Sequence, residues 1–145
     1  MFSPGTEYRR AEIHLKYGGQ PQGGISTPHG QSFILLFSSP NGSLYGYRDG
    51  WSSDRSHYLF TGEGQTGNME FVRGNKAIRD HQRTGKALHL FEWVRPGWYR
   101  YVGEMTLDGF EMQENVPDRE GRLRRAIIFR LVPAGGKTTA ADGMR

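Results

Sequence analysis

Apolar residues fall in short runs separated by glycine-rich or polar segments, and most of these runs have the period of β-strands. The run at 32–37 (SFILLF) is almost continuously apolar, which predicts a buried strand. The run at 86–94 (KALHLFEWV) alternates, and a Pro-Gly turn joins it to a further predicted strand at 98–107. The remaining predicted strands are 44–47, 57–61 and 124–132.

Two segments favour short helices instead. Thr6 can cap a helix over residues 7–17, in which Arg9 and Arg10 are expected to be solvated. A second helix is predicted over residues 75–81. Many short strands, two helices and no internal repeat indicate a mostly β, α+β domain built as a barrel or a strongly bent sheet.

The composition agrees with this fold class and narrows the function. The 21 glycines among 145 residues favour many turns, and one domain is expected at 1–133, with a flexible tail or linker at 134–145. The absence of cysteine excludes disulfides, thiolate nucleophiles and cysteine-ligated zinc. A net charge of +4 modestly favours an anionic partner such as nucleic acid.

Signals for membranes, secretion and catalysis are weak. No apolar run approaches the roughly 20 residues of a membrane span, and the N-terminus lacks the apolar region of a secretory signal, so a cytoplasmic, nucleoid-associated protein is expected. Glycines at 62, 64 and 67 match a dinucleotide fingerprint, but no helix start follows them. The five histidines do not have metal-ligand spacing, and no serine lies in a G-x-S-x-G motif. We therefore expect no catalytic residue, metal or cofactor in this chain.

The strongest candidate site lies within residues 46–75. Tyr47, Trp51 and Phe60, together with Asp49, come at the ends of two short predicted strands, and a glycine-rich turn follows. Aromatic faces and one acceptor suit a pocket for a flat polar ring, such as a nucleobase taken out of its stack. The alternative is that the aromatic residues are core residues and that the Asp-Gly pair is an ordinary turn.

An ordered set of segments resembles the SRA (SET- and RING-associated, or YDG) domain, particularly that of McrA-type modification-dependent HNH restriction endonucleases of actinobacteria. The segments are GGQPQGGIS (18–26), FILLF (33–37), GYRDGW (46–51), HYLFTGEGQTGNMEFVRGNKAI (57–78), GKALHLFE (85–92) and YRYVGE (99–104). The resemblance implies a PUA-like, crescent-shaped β-barrel flanked by short helices. It also implies a protein that flips a modified cytosine out of double-stranded DNA.

The resemblance also gives roles to the pocket residues. Tyr47 and Phe60 would stack on the two faces of the base, and Asp49 would accept from the cytosine amino group. Thr61 and Gly62 would be backbone donors to the other base edge. The predicted pocket consists of Gly46, Tyr47, Asp49, Trp51, Phe60, Thr61 and Gly62.

The chemistry of these residues suits those roles. An ionised carboxylate only accepts hydrogen bonds, so Asp49 would pair with an amino group and repel the O4 of thymine. Gly46 would leave room for the 5-substituent, whose contact is worth about 1 kcal/mol. The expected base is 5-methylcytosine, with 5-hydroxymethylcytosine or another DNA or RNA modification as alternatives.

A second group of residues is predicted to contact the DNA backbone or grooves. Its members are Gln22, Gly23, Gly24, Ser26, Gln65, Arg73, Asn75, Lys76 and Arg79. Which of Gln22, Gln65 or Arg73 fills the space left by the base stays open. A linked or separate HNH nuclease is the expected partner. A small nucleobase- or nucleotide-processing enzyme, with Asp49 or a histidine as general base, and a protein-interaction domain are the rival functions.

Overall fold

The fold is a bent eight-stranded sheet with three short helices, seen in a computed structural model that describes residues 1–39 and 49–136. The strands are β1 (Glu7–Arg9), β2 (Ile25–Ser26), β3 (Phe33–Ser38), β4 (Gly50–Trp51), β5 (Tyr58–Thr61), β6 (Ala87–Arg95), β7 (Trp98–Pro117) and β8 (Leu123–Pro133). The helices are α1 (Arg10–Tyr17), α2 (Arg73–Arg79) and α3 (His81–Thr84), and a 3-10 turn at Ala134–Gly136 follows β8. The expected mostly β, α+β class is confirmed.

The strand order is β2-β3-β6-β7-β8-β5-β4, and β1 pairs with β7 outside this path. Strands β3 and β6 are parallel, whereas the other pairs are antiparallel. The sheet bends without closing into a barrel. A Cβ atom placed on Gly24, beside β2, would lie 3.6 Å from the Cζ atom of Phe60 in β5. The bend therefore brings elements from the two ends of the strand order into contact.

Successive residues of β3 pack into two different hydrophobic clusters. Ile34 and Leu36 belong to the larger cluster, which includes residues of β5 and β8. Phe33, Leu35 and Phe37 belong to a smaller cluster that includes residues of α1, β6 and β7. Because side chains alternate across a strand, burial on both faces requires a continuous apolar run. The prediction of a buried strand at this run is confirmed.

Several element boundaries differ from the predicted ones. Residues 7–9 pair with β7 as a strand, so α1 begins at Arg10. The predicted helix at 75–81 is instead two short helices on either side of Asp80. Strand β7 continues to Pro117 because it pairs with β8 along that length, with register shifts on the way.

Two further sequence predictions concern the segment at 44–47 and the C-terminal tail. The predicted strand at 44–47 lies outside the described residues. The division at residue 133 between domain and tail stays a prediction, and residues 137–145 are likewise outside the described part. Within that part, no helix has the length and apolar character needed to cross a membrane.

Candidate nucleic-acid interface

A cleft of about 1090 Å³ lies beside the contact between Gly24 and Phe60. Its lining comes from residues 23–24 before β2, from the end of β5 and the glycine-rich turn after it, and from the start of α2. This volume slightly exceeds the usual range for ligand pockets, which is about 300–1,000 Å³. The cleft therefore has room for more than one small ring.

Asp49 lines this cleft in a fixed orientation. Gly50 pairs with Leu59, so the pairing of β4 with β5 brings Asp49 to the end of β5. The Thr61 backbone N–H donates to Asp49 Oδ1 at 2.8 Å, and the Thr61 hydroxyl donates to the same oxygen at 2.7 Å. Burial raises the pKa of Asp49 to about 6, although hydrogen bonds from Thr61 and Ser38 oppose this effect.

A chain of buried hydroxyl groups lies behind Asp49. The Tyr58 hydroxyl donates to Ser38 Oγ at 2.9 Å and also lies 3.1 Å from Glu92 Oε2. Tyr58 is 1% exposed and Ser38 7% exposed, and Ser38 in turn hydrogen-bonds to Asp49. The carboxylate is thus supported by β3 and β5 together.

The predicted aromatic pocket is only partly present among the described residues. Phe60 lines the cleft, but it is 1% exposed and belongs to the larger hydrophobic cluster. Trp51 is not among the described lining residues. Its ring packs edge-on against Tyr58 at 5.4 Å, with the Arg55 guanidinium 4.8 Å from its centroid. Trp51 therefore lies outside the described lining and its place in the pocket stays a prediction, while Gly46 and Tyr47 lie outside the described residues.

Two backbone donors predicted for the base are already used within the protein. Thr61 N–H is bonded to Asp49, and Gly62 N–H donates to the Ile127 carbonyl at 2.8 Å. In this structure both amides have partners within the protein, so binding of a base edge by them stays a prediction that requires these bonds to be exchanged. Both residues do line the cleft. Gly62 fits there because a Cβ atom would lie only 2.7 Å from Asn75 Oδ1.

The side chains of Asn75 and Ser26, which were predicted to contact DNA, are buried and hydrogen-bonded within the protein. Asn75 is 1% exposed; its Oδ1 accepts from Glu63 N–H at 2.9 Å, and its amide donates to the carbonyls of Glu63 and Glu70. Ser26 is fully buried and donates to Gln20 Oε1 at 3.3 Å. In this structure both side chains support the fold, and their contact with DNA stays a prediction.

The other predicted DNA contacts divide into two groups. The cleft lining includes Gly23, Gly24, Gln65 and Arg73. The other group is exposed to solvent and is not part of the described lining; it consists of Gln22, Lys76 and Arg79. Arg79 forms an ion pair with Asp80 at 2.8 Å and lies 5.1 Å from the Phe71 ring centroid. The second group is thus outside the site formed by the described residues.

Two arginines of the cleft were missed by sequence reasoning. Arg10, expected to be solvated, is only 9% exposed, and Arg124 is 8% exposed. Their main partners are carbonyl groups between 10 and 60 residues away in the chain, such as that of Gly64. A local sequence pattern gives no signal for such contacts. In the described ranges, no group of three side chains is arranged to hold a metal ion.

A bent, mostly β sheet with short helices and a polar cleft defines an SRA-like fold. The chain belongs to the ScoMcrA-like SRA domain family, whose model matches residues 4–141. The family resemblance drawn from the sequence is confirmed. No curated protein sequence matches this chain.

Solved structures show the same fold. The sulfur-binding and SRA domains of ScoMcrA, complexed with phosphorothioated DNA, match with a TM-score of 0.74 at 23% identity, covering 92% of this chain and 40% of that chain. The SUVH5 SRA domain with hemi-methylated CG DNA gives 0.65 at 19% identity, covering 92% and 90%. The MspJI restriction endonuclease with a 27-mer oligonucleotide gives 0.62 at 18% identity, covering 81% and 34%. This chain thus spans less than half the length of the ScoMcrA chain.

Proposed function

We propose that this domain reads modified cytosine, most specifically 5-methylcytosine, in double-stranded DNA by flipping the base into the cleft. The observation that carries the proposal is the Asp49 carboxylate, held at the cleft by two hydrogen bonds from Thr61. Membership of the SRA family supports it, as do the complexes of similar folds with methylated DNA. The domain itself acts as a binding module.

Asp49 would distinguish cytosine from thymine. Its Oδ1 atom is fixed by Thr61, and we assign the other oxygen, Oδ2, to the exocyclic amino group of the base. The ionised carboxylate accepts from that amino group and repels the O4 of thymine. The fixed carboxylate plane limits the orientations in which a base gains this bond.

Stacking would supply much of the energy for flipping. Taking a base out of its stack costs a few kcal/mol, and each aromatic face returns about 1–3 kcal/mol. We propose that Phe60 stacks on one face of the base after small movements at the cleft expose its ring. We propose that Tyr47 stacks on the other face. Contact with a 5-methyl group adds about 1 kcal/mol, so preference over unmodified cytosine is expected to be on the order of fivefold.

The biological setting we propose is a modification-dependent restriction system in the cytoplasm, at the nucleoid. ScoMcrA is described as a phosphorothioation-dependent restriction endonuclease, and MspJI is also a restriction endonuclease. This chain covers only 28% of the ScoMcrA endonuclease chain. A linked or separate HNH nuclease would supply cleavage after this domain has bound.

A competition titration tests the proposal. Identical duplexes carry cytosine, 5-methylcytosine or 5-hydroxymethylcytosine at one site, and wild type is compared with Asp49→Ala at two salt concentrations. We expect a preference for one modified duplex that Asp49→Ala loses, with an unchanged salt dependence. Fluorescence of 2-aminopurine next to the modified base should rise in the complex, because flipping unstacks its neighbour.

Asp108→Asn is the matched control, because Asp108 is 58% exposed, pairs with Arg130 and does not line the cleft. This variant should keep the preference. Equal, steeply salt-dependent binding of all three duplexes by wild type would leave only a basic surface and would exclude base readout. A preference for 5-hydroxymethylcytosine would keep the mechanism and change the ligand.

A further inference from the structure

Two loops border the cleft, and each is held by one buried arginine. The first loop comprises residues 18–24 and the second residues 62–67. Arg10 Nη1 donates to the Gly23 carbonyl at 2.9 Å, and its Nη2 donates to the Gln20 carbonyl at 3.0 Å. Arg124 Nη1 donates to the carbonyls of Gly64 and Gly67, at 3.1 and 2.7 Å. In both loops the anchored carbonyls are three residues apart.

In each loop, an exposed glutamine lies in sequence between the two anchored carbonyls. Gln22 lies between the two carbonyls bound by Arg10, and Gln65 lies between the two bound by Arg124. Both glutamines are exposed. Each arginine therefore fixes a short backbone segment that presents one glutamine outward.

Among the described residues, neither arginine forms a salt bridge with a carboxylate, although the Asp118 carboxylate lies close enough to Arg124 to oppose the lowering of its pKa. Across residues 1–39 and 49–136, no acidic oxygen lies within salt-bridge distance of either guanidinium. The Arg10 guanidinium lies 3.8 Å from the Phe37 ring centroid, and its Nε donates to His14 Nε2 at 2.9 Å. Arg124 Nε has no hydrogen-bond partner among the described residues. Burial lowers the pKa of both arginines.

A buried cation without a carboxylate paired directly to it is unfavourable unless another group compensates its charge. If the loops needed only stability, apolar packing would supply it without this penalty. An arginine adds two features: its planar group can bind two carbonyls at once, and its charge is fixed beside the cleft. A polyanion entering the cleft would compensate that charge.

We propose that Arg10 and Arg124 are paired positioning residues, which hold the two loops in the shape that accepts duplex DNA with one nucleotide flipped. Phosphates of the bound DNA compensate their charges. This inference rests on the proposed function. It predicts that loss of either arginine removes the flipped mode of binding and leaves the non-specific mode, which depends on exposed surface charge.

Each arginine has a sequence neighbour that serves as a matched control. Arg9 and Arg125 are exposed and do not line the cleft, so their replacement removes the same charge without touching the loop carbonyls. Arg10→Met and Arg124→Met are compared with Arg9→Met and Arg125→Met. Arg10→Lys and Arg124→Lys keep the charge but replace the planar fork that binds two carbonyls.

The measurement is the dissociation constant for duplexes with 5-methylcytosine or cytosine, at two salt concentrations and for every variant. Arg10→Met and Arg124→Met should weaken binding of the modified duplex about fivefold more than binding of the cytosine duplex, so that the two duplexes bind equally. The lysine variants should also lose most of the preference. The Arg9 and Arg125 variants should bind both duplexes slightly more weakly, with the preference intact.

Hydrogen exchange without DNA reports on the loops directly. Amides of residues 18–24 should exchange faster in the Arg10 variants, and amides of residues 62–67 in the Arg124 variants, with no change in the two controls. Thermal unfolding identifies any methionine variant that does not fold, in which case the lysine variant decides. Lysine variants with wild-type preference and wild-type exchange would overturn the inference. Wild type without any preference would contradict the proposed function, whereas loop exchange would still decide the positioning role.

Discussion

Thr61 donates two hydrogen bonds to one oxygen of Asp49, from its N–H at 2.8 Å and from its hydroxyl at 2.7 Å. Thr61 is the last residue of β5, and Asp49 directly precedes β4. The position of the carboxylate is therefore set by the pairing of two strands. These bonds stabilise the ionised form, but burial outweighs them, so the pKa of Asp49 is raised to about 6.

Asp49→Asn should change which base is preferred. The amide oxygen can still accept both bonds from Thr61, which places the NH₂ group where the second carboxylate oxygen was. The NH₂ group and the amino group of cytosine are both donors, so they cannot form a hydrogen bond with each other. The NH₂ group can instead donate to the O4 of thymine. We expect at least tenfold weaker binding of the 5-methylcytosine duplex, and tighter binding of a duplex with mispaired thymine at the same site. Competition titrations measure both, and an unchanged preference for cytosine would contradict the role given to Asp49.

The stability of the fold should depend on pH through Asp49. Its pKa is 3.8 in the reference state and about 6 in the folded protein, so the folded state binds more protons between these values. The free energy of unfolding should therefore fall as pH rises from about 4 to 6. The upper limit of this fall is about 3 kcal/mol, and solvent screening makes the actual fall smaller. Asp49→Asn should lack this contribution and be more stable than wild type at pH 7.

Urea denaturation at pH 4.5, 6 and 7.5 measures this difference. Other acidic groups titrate in both proteins, so the wild-type free energy minus that of Asp49→Asn isolates the contribution of one side chain. A difference that stays constant across the three pH values would show that the pKa of Asp49 is not raised.

Binding should respond to the same titration in the opposite direction. The amino group of cytosine needs an ionised acceptor, so affinity for the modified duplex should rise up to about pH 6 and then level off. Below that pH, binding should weaken by about tenfold per pH unit, as one proton is lost on binding. The step should be absent in Asp49→Asn. A flat profile for wild type would indicate that the carboxyl binds the base in its protonated form.

The sequence predicted much of the fold because local patterns and tertiary packing agree in most strands. The run at 32–37 is a clear example: its alternate side chains enter two cores, and its composition shows this. The end of β7 is the opposite case. Gln113 pairs with Ala126 and a register shift follows it, and residues 113–115 are polar and exposed, so this part of the strand has no apolar period from which it could be predicted.

The site was harder to predict because a polar residue that binds a ligand and one that forms hydrogen bonds within the protein look the same in the sequence. Asn75 and Ser26 were expected to contact DNA, but their partners are protein groups 5 to 12 residues away. Arg10 was expected in solvent, but aromatic rings and loop carbonyls hold it. Only the folded chain shows which polar groups already have partners. Asp49 lines the cleft because it directly precedes β4, whose pairing with β5 fixes its position.

Phe60 has a structural role and a proposed binding role, which a matched pair of variants separates. Phe60 and Phe129 face each other in the pairing of β5 with β8, and both are at most 1% exposed, but Phe129 does not line the cleft. Phe60→Leu and Phe129→Leu should each lower the free energy of unfolding by about 1–2 kcal/mol. Phe60→Leu alone should also weaken binding of the modified duplex by about tenfold, since one stacking face is lost. Equal binding by the two variants would assign Phe60 to the core only.

Gly62 should tolerate no side chain, for a steric reason that can be separated from backbone strain. A Cβ atom there would lie 2.7 Å from Asn75 Oδ1 and 3.2 Å from Phe129 Cε2, and Asn75 has little freedom to move because its amide holds Glu63 and Glu70. We expect Gly62→Ala to lower the free energy of unfolding by about 2–3 kcal/mol.

Gly67→Ala is the control for that substitution. Gly67 has a φ of 76° and open space around its Cα, so alanine there meets only backbone strain of about 1–2 kcal/mol. Urea denaturation compares the two free energies. Displacement of Asn75 would also release the Glu63 amide at the start of the second loop, so Gly62→Ala should additionally weaken binding of the modified duplex. A Gly62→Ala protein as stable as wild type would mean that Asn75 moves freely, and the loop would then not depend on it.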